Sequence, residues 1–258
     1  MSRLQNAFED RYYGVTIRPF GSYASGIYLP TADMDLVLLS SNFLRTGTKV
    51  FGENKGQIYA FAKFIRDSRL AVPYSVDAIV HARVPILKFV DRLTGLRVDL
   101  SFDNESGLVA NDTFQLWKSE YPEMPLIVSV VKQFLLIRGL SEVPTGGLGG
   151  YSVTCLVISL LQHLPHGHVE RNLAGILMDF FEFYGNRLPY ESVGIRLNPP
   201  GYFDKVCIQY SLQLEGYGAN VVHSRYTKSS AIRTRVMTVY GLRIQTTLIM
   251  MYLAVRGR

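Results

Sequence analysis

The chain has 258 residues, 48% of them hydrophobic, enough to build one large packed domain or two modest ones, which excludes an intrinsically disordered protein. Its longest uninterrupted apolar stretches, such as "LIMMYLAV", fall well short of the roughly 20 residues of a membrane span, so no transmembrane helix is expected. The net charge is +6 and unevenly placed: residues 1–200 carry 19 Lys/Arg against 19 Asp/Glu, and residues 201–258 carry 8 against 2, so the C-terminal segment is a candidate polyanion surface or a solubilising face.

In chain order, "MSRLQNAFEDRYY" lacks an apolar core and does not read as a secretory signal, so an intracellular protein is expected. "GVTIRPF" predicts a short strand and "ADMDLVLLS" a second, buried one, because a continuous apolar run of that length suits a strand covered on both faces. "NKGQIYAFAKFIRDSRL" places Ile58, Phe61, Ala62 and Ile65 at helical spacing. "ARVPILKFVD" and "GLRVDLSF", separated by "RLT" and Gly95, predict a β-hairpin. After "YPEMP" the pattern turns helical. "PLIVSVVKQFLLIRG" has Pro at its start and Gly at its end, with Lys132 interrupting its apolar surface. "YSVTCLVISLLQHL" and "NLAGILMDFFEFYG" predict two further buried helices, and His163, His166 and His168 fall in a solvated loop after the first. From Pro199 the sequence reads as loop and ends in a helix-like run near "IRTRVMTVYGL". Cys155 and Cys207 sit among apolar residues without metal or redox spacing, as free core thiols do.

The chemistry concentrates in "RPFGSYASGIYLPTADMDLVLLSS". Residues i and i+2 of a strand share a face, so Asp33 and Asp35 project together, and adjacent carboxylates repel unless something positive joins them. With no His/Cys cluster nearby, a hard divalent cation is the natural partner, Mg²⁺ being usual where phosphates complete its shell. Asp99, mid-strand between Val98 and Leu100, supplies a third carboxylate. Three such groups suit a two-metal phosphoryl-transfer site. Gly21 and Ser22, opening a short helix after the first strand, would turn backbone N–H groups and a hydroxyl toward a phosphate.

Strand, Gly-Ser, D-x-D and distal Asp together resemble the nucleotidyltransferase fold of the DNA polymerase β superfamily. Within it, "FGSYASGIYLPTADMDLVL", "ARVPILKFVDRLTGLRVDLSF", "VSVVKQFLLIRGL" and "TGGLGGYSVTCLVISLLQHLP" are similar to the noncanonical poly(A) polymerases of the TRAMP-complex type, over residues 15–190. The resemblance implies an α+β architecture: a nucleotidyltransferase catalytic domain over residues 1–115, then a mostly helical, poly(A) polymerase-associated domain over residues 116–258 that carries a nucleotide-recognition loop. ATP and the RNA 3′ end would meet in the cleft between.

By the same resemblance Asp33, Asp35 and Asp99 would bind Mg²⁺ or Mn²⁺, with Asp99 assisting deprotonation of the RNA 3′-hydroxyl. Gly21 and Ser22 would cradle the triphosphate, Lys132 and Ser152 would contact phosphates, Tyr151 would stack on the base, and Asn111 would contact the ribose. The family's recognition loop resembles D-P…N-N-V-[SG]-R. Here Asn220, Val221 and Arg225 are kept, Tyr210 stands where Asp is expected, and Ala219 stands where uridine-adding relatives place His, which favours adenylate; His223 lies close by. With 20 residues before Gly21, the N-terminal helix that relatives pack into their central domain is expected to be shortened or absent, and the chain divergent or truncated at its C-terminus. The implied protein adds AMP from ATP to RNA 3′ ends without a template. It would work in the nucleus or nucleolus in RNA processing and surveillance, away from membranes, with a zinc-knuckle RNA-binding protein and an RNA helicase as partners. Three rivals share some of these features: a terminal uridylyltransferase, a small-molecule nucleotidyltransferase, and an inactive RNA-binding scaffold.

Overall fold

The run "MDLVLL" is buried on both sides because each of its faces meets a different layer. In the computed structural model, which describes residues 1–82, 84–164, 172–205 and 236–237, it forms strand β2 (Met34–Leu39). Leu36 and Leu38 face a core built with Ile58, Phe61 and Ile65, while Val37 and Leu39 face Phe43, Phe20 and Leu108. Two-sided cover explains the unbroken apolar pattern.

Cα proximity divides the chain into two units, Met1–Ser119 and Glu120–Arg258. The first is a five-stranded sheet of order β1-β2-β5-β4-β3. β1 (Thr16–Phe20) runs antiparallel to β2, β2 parallel to β5 (Arg97–Phe102), and β4 (Ile86–Val90) antiparallel to both β5 and β3 (Asp77–Ile79). The hairpin expected from sequence is β4–β5, closed by Gly95 N–H donating to the Asp91 carbonyl at 2.9 Å.

Helices cover the sheet. α1 (Ser2–Glu9) escaped the sequence reading because only Leu4 and Phe8 mark its apolar face, yet i, i+4 spacing suffices to bury both. Arg3 ties this helix down, donating to Asp91 Oδ1 at 2.6 Å and the Leu70 carbonyl at 3.0 Å. α2 (Gly21–Ser25) follows β1 directly, and α3 (Ser41–Thr46) is capped by Ser40 Oγ accepting from Phe43 N–H. α4 (Lys55–Asp67) buries Ile58, Phe61, Ala62 and Ile65, the four residues that predicted it, with Asn54 as its side-chain cap. Phe61 stacks on Phe102 of β5, centroids 4.9 Å apart. α5 (Ser106–Glu120) was missed altogether; its buried residues are few, Phe114 and Trp117.

In the second unit α6 (Met124–Ile137), α7 (Gly150–His163) and α8 (Leu173–Glu182) are the three helices expected, the last running on into a π-helical turn, Phe183–Arg187. Two expectations fail here. The segment read as loop from Pro199 contains β7 (Pro200–Asp204), and the helix-like run contains β8 (Val236–Met237); both flank β6 (Val193–Leu197) in a sheet of order β7-β6-β8. The strand signal was hidden by glycine. Gly194 permits the close approach of Phe203, whose ring lies 2.2 Å from where a Cβ would be. β8 owes its form to pairing with distant Ile195 and Arg196, which no local pattern records. His163 closes α7 with its ring against Tyr202, 4.7 Å between centroids. Cys155 is buried in α7; Cys207, His166 and His168 lie outside the described residues. Among the described residues no helix is long and apolar enough to cross a membrane.

One buried carboxylate fixes the register of the two central strands. Asp103, fully buried just beyond β5, accepts from Ser40 N–H at 2.7 Å, Ser40 Oγ at 2.9 Å, and the N–H groups of Val50 and Phe51 at 2.8 Å each. Ser40 sits just beyond β2, so these bonds clamp the same ends of both strands. Removing the acceptor leaves several buried donors unpaired, so Asp103→Ala should destabilise the first unit by about 3 kcal/mol. Urea unfolding followed by fluorescence of Trp117, the single tryptophan, measures this.

Candidate active site

The turn from β1 into α2 requires glycine at its first helical position. Phe20 is extended (φ −144°), Gly21 turns to φ +69°, and a Cβ there would lie 2.1 Å from Asp35 Oδ2. Both the left-handed backbone and the contact exclude other residues. α2 is one short turn, closed at its far end by Gly26 (φ +71°) and braced by Ser25 Oγ donating to the Gly21 carbonyl at 2.8 Å. The start of α2 therefore stands beside the Asp35 carboxylate.

α5 runs along this turn. A Cβ on Gly107 would fall 2.3 Å from the Phe20 ring, Gln115 Nε2 donates to the Ala24 carbonyl at 3.4 Å, and Lys118 Nζ to the Ser25 carbonyl at 3.1 Å. Residues 107, 111, 115 and 118 recur at three- and four-residue spacing, so they form one stripe. Asn111 thus lies on the face turned to α2, and its Oδ1 is buried without a hydrogen-bond partner among the described residues.

The carboxylates come together through strand register. Asp35 pairs directly with Asp99 across the parallel β2–β5 ladder, Phe20 opposes Asp35, and Lys88 opposes Asp99. Opposed residues share a face, so one row runs Phe20, Asp35, Asp99, Lys88 and, across β3, Asp77. Asp33 precedes β2 by one residue. Basic side chains contact this cluster: Lys88 Nζ lies 2.6 Å from Asp99 Oδ2, and Arg97 Nε lies 2.7 Å from Asp33 Oδ1. The Arg97 contact is an ion pair by distance without hydrogen-bond angles; another guanidinium nitrogen donates to the Thr31 carbonyl at 2.7 Å. Partial burial works against the Lys88 charge, but the hydrogen bond it donates to Asp99 and the fields of Asp99, Asp33 and Asp35 outweigh it and raise its pKa.

Lys88 and Arg97 were not foreseen as site residues. Lys88 was legible in principle, since in a hairpin pairing Val90 with Arg97 the residue opposite Asp99 is number 88. With both cations in place, no three His, Cys, Asp or Glu side chains among the described residues converge to hold a metal. The carboxylates fit divalent ions in donor type and in sharing one face, once Asp99 and Asp33 turn from their cations.

In the second unit Lys132 lies half-buried on α6 beside the start of α7: a Cβ on Gly150 would sit 3.4 Å from its Cε and 3.5 Å from its Nζ. Tyr151, exposed, and Ser152 occupy the first turn of the same helix. The "GGLGG" segment makes this possible. Gly146 (φ +91°) ends the 3-10 turn Val143–Thr145, and a Cβ on Gly147 would strike the Leu140 carbonyl at 2.4 Å. An ammonium group next to the positive end of a helix favours an anion nearby. Asn220, with Tyr210, Ala219, Val221, His223, Arg225 and most of the basic segment, lies outside the described residues.

Comparison with known proteins settles the ancestry. Residues 1–119 match the model "Poly(A) RNA polymerase, mitochondrial-like, central palm domain", and residues 172–218 match "Cid1 family poly A polymerase". Poly(A) RNA polymerase protein 1 of Eremothecium gossypii is 37% identical over 203 residues, 77% of this chain and 31% of that protein. Over these residues the chain is a homologue of the noncanonical poly(A) polymerases. Poly(A) RNA polymerase cid14 of Schizosaccharomyces pombe is 36% identical over 208 residues, 79% of this chain and 29% of that one. A solved polymerase core of TRAMP, an RNA surveillance complex, superposes with a TM-score of 0.69 at 33% identity, covering 80% of this chain and 63% of that one. The chain thus spans under a third of the length of these two curated relatives.

The Gly21 geometry gives a test that separates backbone from contact. Gly47 has φ +71° with nothing within 4 Å of a built Cβ. Gly47→Ala should cost about 1 kcal/mol from its left-handed backbone alone, and Gly21→Ala at least about 1 kcal/mol more from the Asp35 contact. Trp117-monitored urea unfolding compares the two.

Proposed function

We propose that this chain is the catalytic part of a polynucleotide adenylyltransferase that extends RNA 3′ ends with AMP from ATP. The observation that carries the reading is the pairing of Asp35 with Asp99 directly beside Gly21, which brings together carboxylates and a phosphate-accepting turn. In this reading a nucleotidyltransferase domain covers residues 1–115 and a poly(A) polymerase-associated domain residues 116–258.

Asp33, Asp35 and Asp99 would hold Mg²⁺ or Mn²⁺. When bound, such ions supply the Lewis acidity that activates a 3′-hydroxyl and stabilises departing pyrophosphate. Asp99 accepts the proton of the attacking hydroxyl. Gly21 and Ser22 donate to the triphosphate from the start of α2, and Asn111, with its unpaired buried Oδ1, accepts from a ribose hydroxyl. Lys132 and Ser152 bind phosphate, Tyr151 stacks on the base, and Asn220 reads the base edge. The Lys/Arg excess of residues 201–258 holds the RNA backbone, so affinity falls as salt rises. In this reading the chain works in nuclear RNA surveillance with a zinc-knuckle RNA-binding protein and a helicase in a TRAMP-like complex, a reading supported by its likeness to the solved polymerase core of TRAMP, an RNA surveillance complex.

A labelled RNA oligonucleotide incubated with each NTP and Mg²⁺ provides the test. Extension with ATP is expected, and the double variant Asp33→Ala/Asp35→Ala should lose it by about 1,000-fold or more while folding normally. Preference for UTP would move the chain to the uridylyl branch. A folded chain that extends with no nucleotide, alone or with a zinc-knuckle protein, would overturn the reading.

A further inference from the structure

Three carboxylates crowded at one end of a sheet repel one another, so the chain needs positive charge there whether or not a metal is bound. Lys88 is built to supply it. Its neighbours Leu87 and Phe89 are buried on the opposite face of β4, so the pleat fixes the lysine on the carboxylate side. There it lies between two acids in one cross-strand row, Asp99 on β5 and Asp77 on β3. Its ammonium sits on Asp99 at 2.6 Å, and its side chain remains 45% exposed, free to change partner.

We propose that Lys88 is the resident counter-ion of the carboxylate row: it holds Asp99 while no divalent cation is bound, and passes to Asp77 when one is. The geometry supports both positions, since directly opposed residues on adjacent strands bring their Cβ atoms within about 5 Å, well inside the reach of a lysine. Arg97 holds Asp33 from the start of β5, so at Asp99 itself the Lys88 ammonium is what an entering cation must displace. The inference rests on the carboxylate site of the proposed function and adds a role for two residues outside it. Lys88 is a positioning residue, competing with metal for Asp99.

Mn²⁺ binding to the full chain, measured by titration calorimetry without nucleotide or RNA, tests it independently of turnover. Lys88→Met should tighten Mn²⁺ by about tenfold, because the competitor is gone, and Lys88→Arg should restore near-parental affinity. In EDTA the Met variant should melt below the parent and recover more on adding Mn²⁺. Asp77→Asn, which removes the second partner, should weaken Mn²⁺ by about threefold. Parental binding that is unchanged or weaker in Lys88→Met would overturn this inference and leave the carboxylate site standing. Unchanged affinity in Asp77→Asn would overturn the transfer to Asp77. If neither the parent nor Lys88→Met binds Mn²⁺, the carboxylate site itself is overturned, and the inference with it.

Discussion

The parallel pairing of β2 with β5 is the constraint on which the candidate site depends. These strands are separated in sequence by α3, α4 and two further strands, and nothing local brings Asp35 opposite Asp99. What does so is a ladder clamped beyond one end by Asp103, whose carboxylate accepts hydrogen bonds from the chain after β2 and from the loop leading to α4. A buried charge with four donors is costly to form and more costly to break, so it acts as a register pin. At the other end Gly21 leaves the space that Asp35 fills. Site and fold are therefore one arrangement seen from two ends.

Much of this was legible in the sequence because the decisive signals are periodic or short-range. β2 declared itself by an unbroken apolar run, α4 by four residues at helical spacing, and the β4–β5 hairpin by its turn. α1 and α5 carry too few buried side chains to leave a period. β7 and β8 were hidden for opposite reasons, the first by glycine and proline in a tight hairpin, the second by pairing with residues about 40 positions away. At the site, the aspartates and the Gly-Ser turn were visible as residue types in order. Lys88 and Arg97 were not, because a lysine or arginine in an alternating strand looks like a solvent-facing residue until cross-strand partners are known.

The second unit makes its contribution by different means. Its glycines bring chain segments together where side chains would hold them apart, Gly147 against Leu140 and Gly150 against Lys132. The α7 start consequently presents the Ser152 hydroxyl and the Tyr151 ring in one turn of backbone, with the Lys132 ammonium of α6 beside them. Behind it, Tyr184 Oη donates to the Leu156 carbonyl at 2.7 Å, anchoring α7 to the π-helical turn through fully buried side chains.

The β4–β5 hairpin also restricts how the gene can change. Opposed residues in its ladder have numbers summing to 187, as Val90 with Arg97 and Lys88 with Asp99. Adding or deleting one residue in the Asp91–Leu96 turn would re-pair Asp99 with Leu87 or Phe89, setting an oily side chain against a carboxylate, or would turn those two out of the core. The turn can therefore tolerate length changes only in steps that preserve parity, an indel signature that would mark this hairpin among relatives even where residues outside its anchoring Asp91 and Gly95 have drifted beyond recognition.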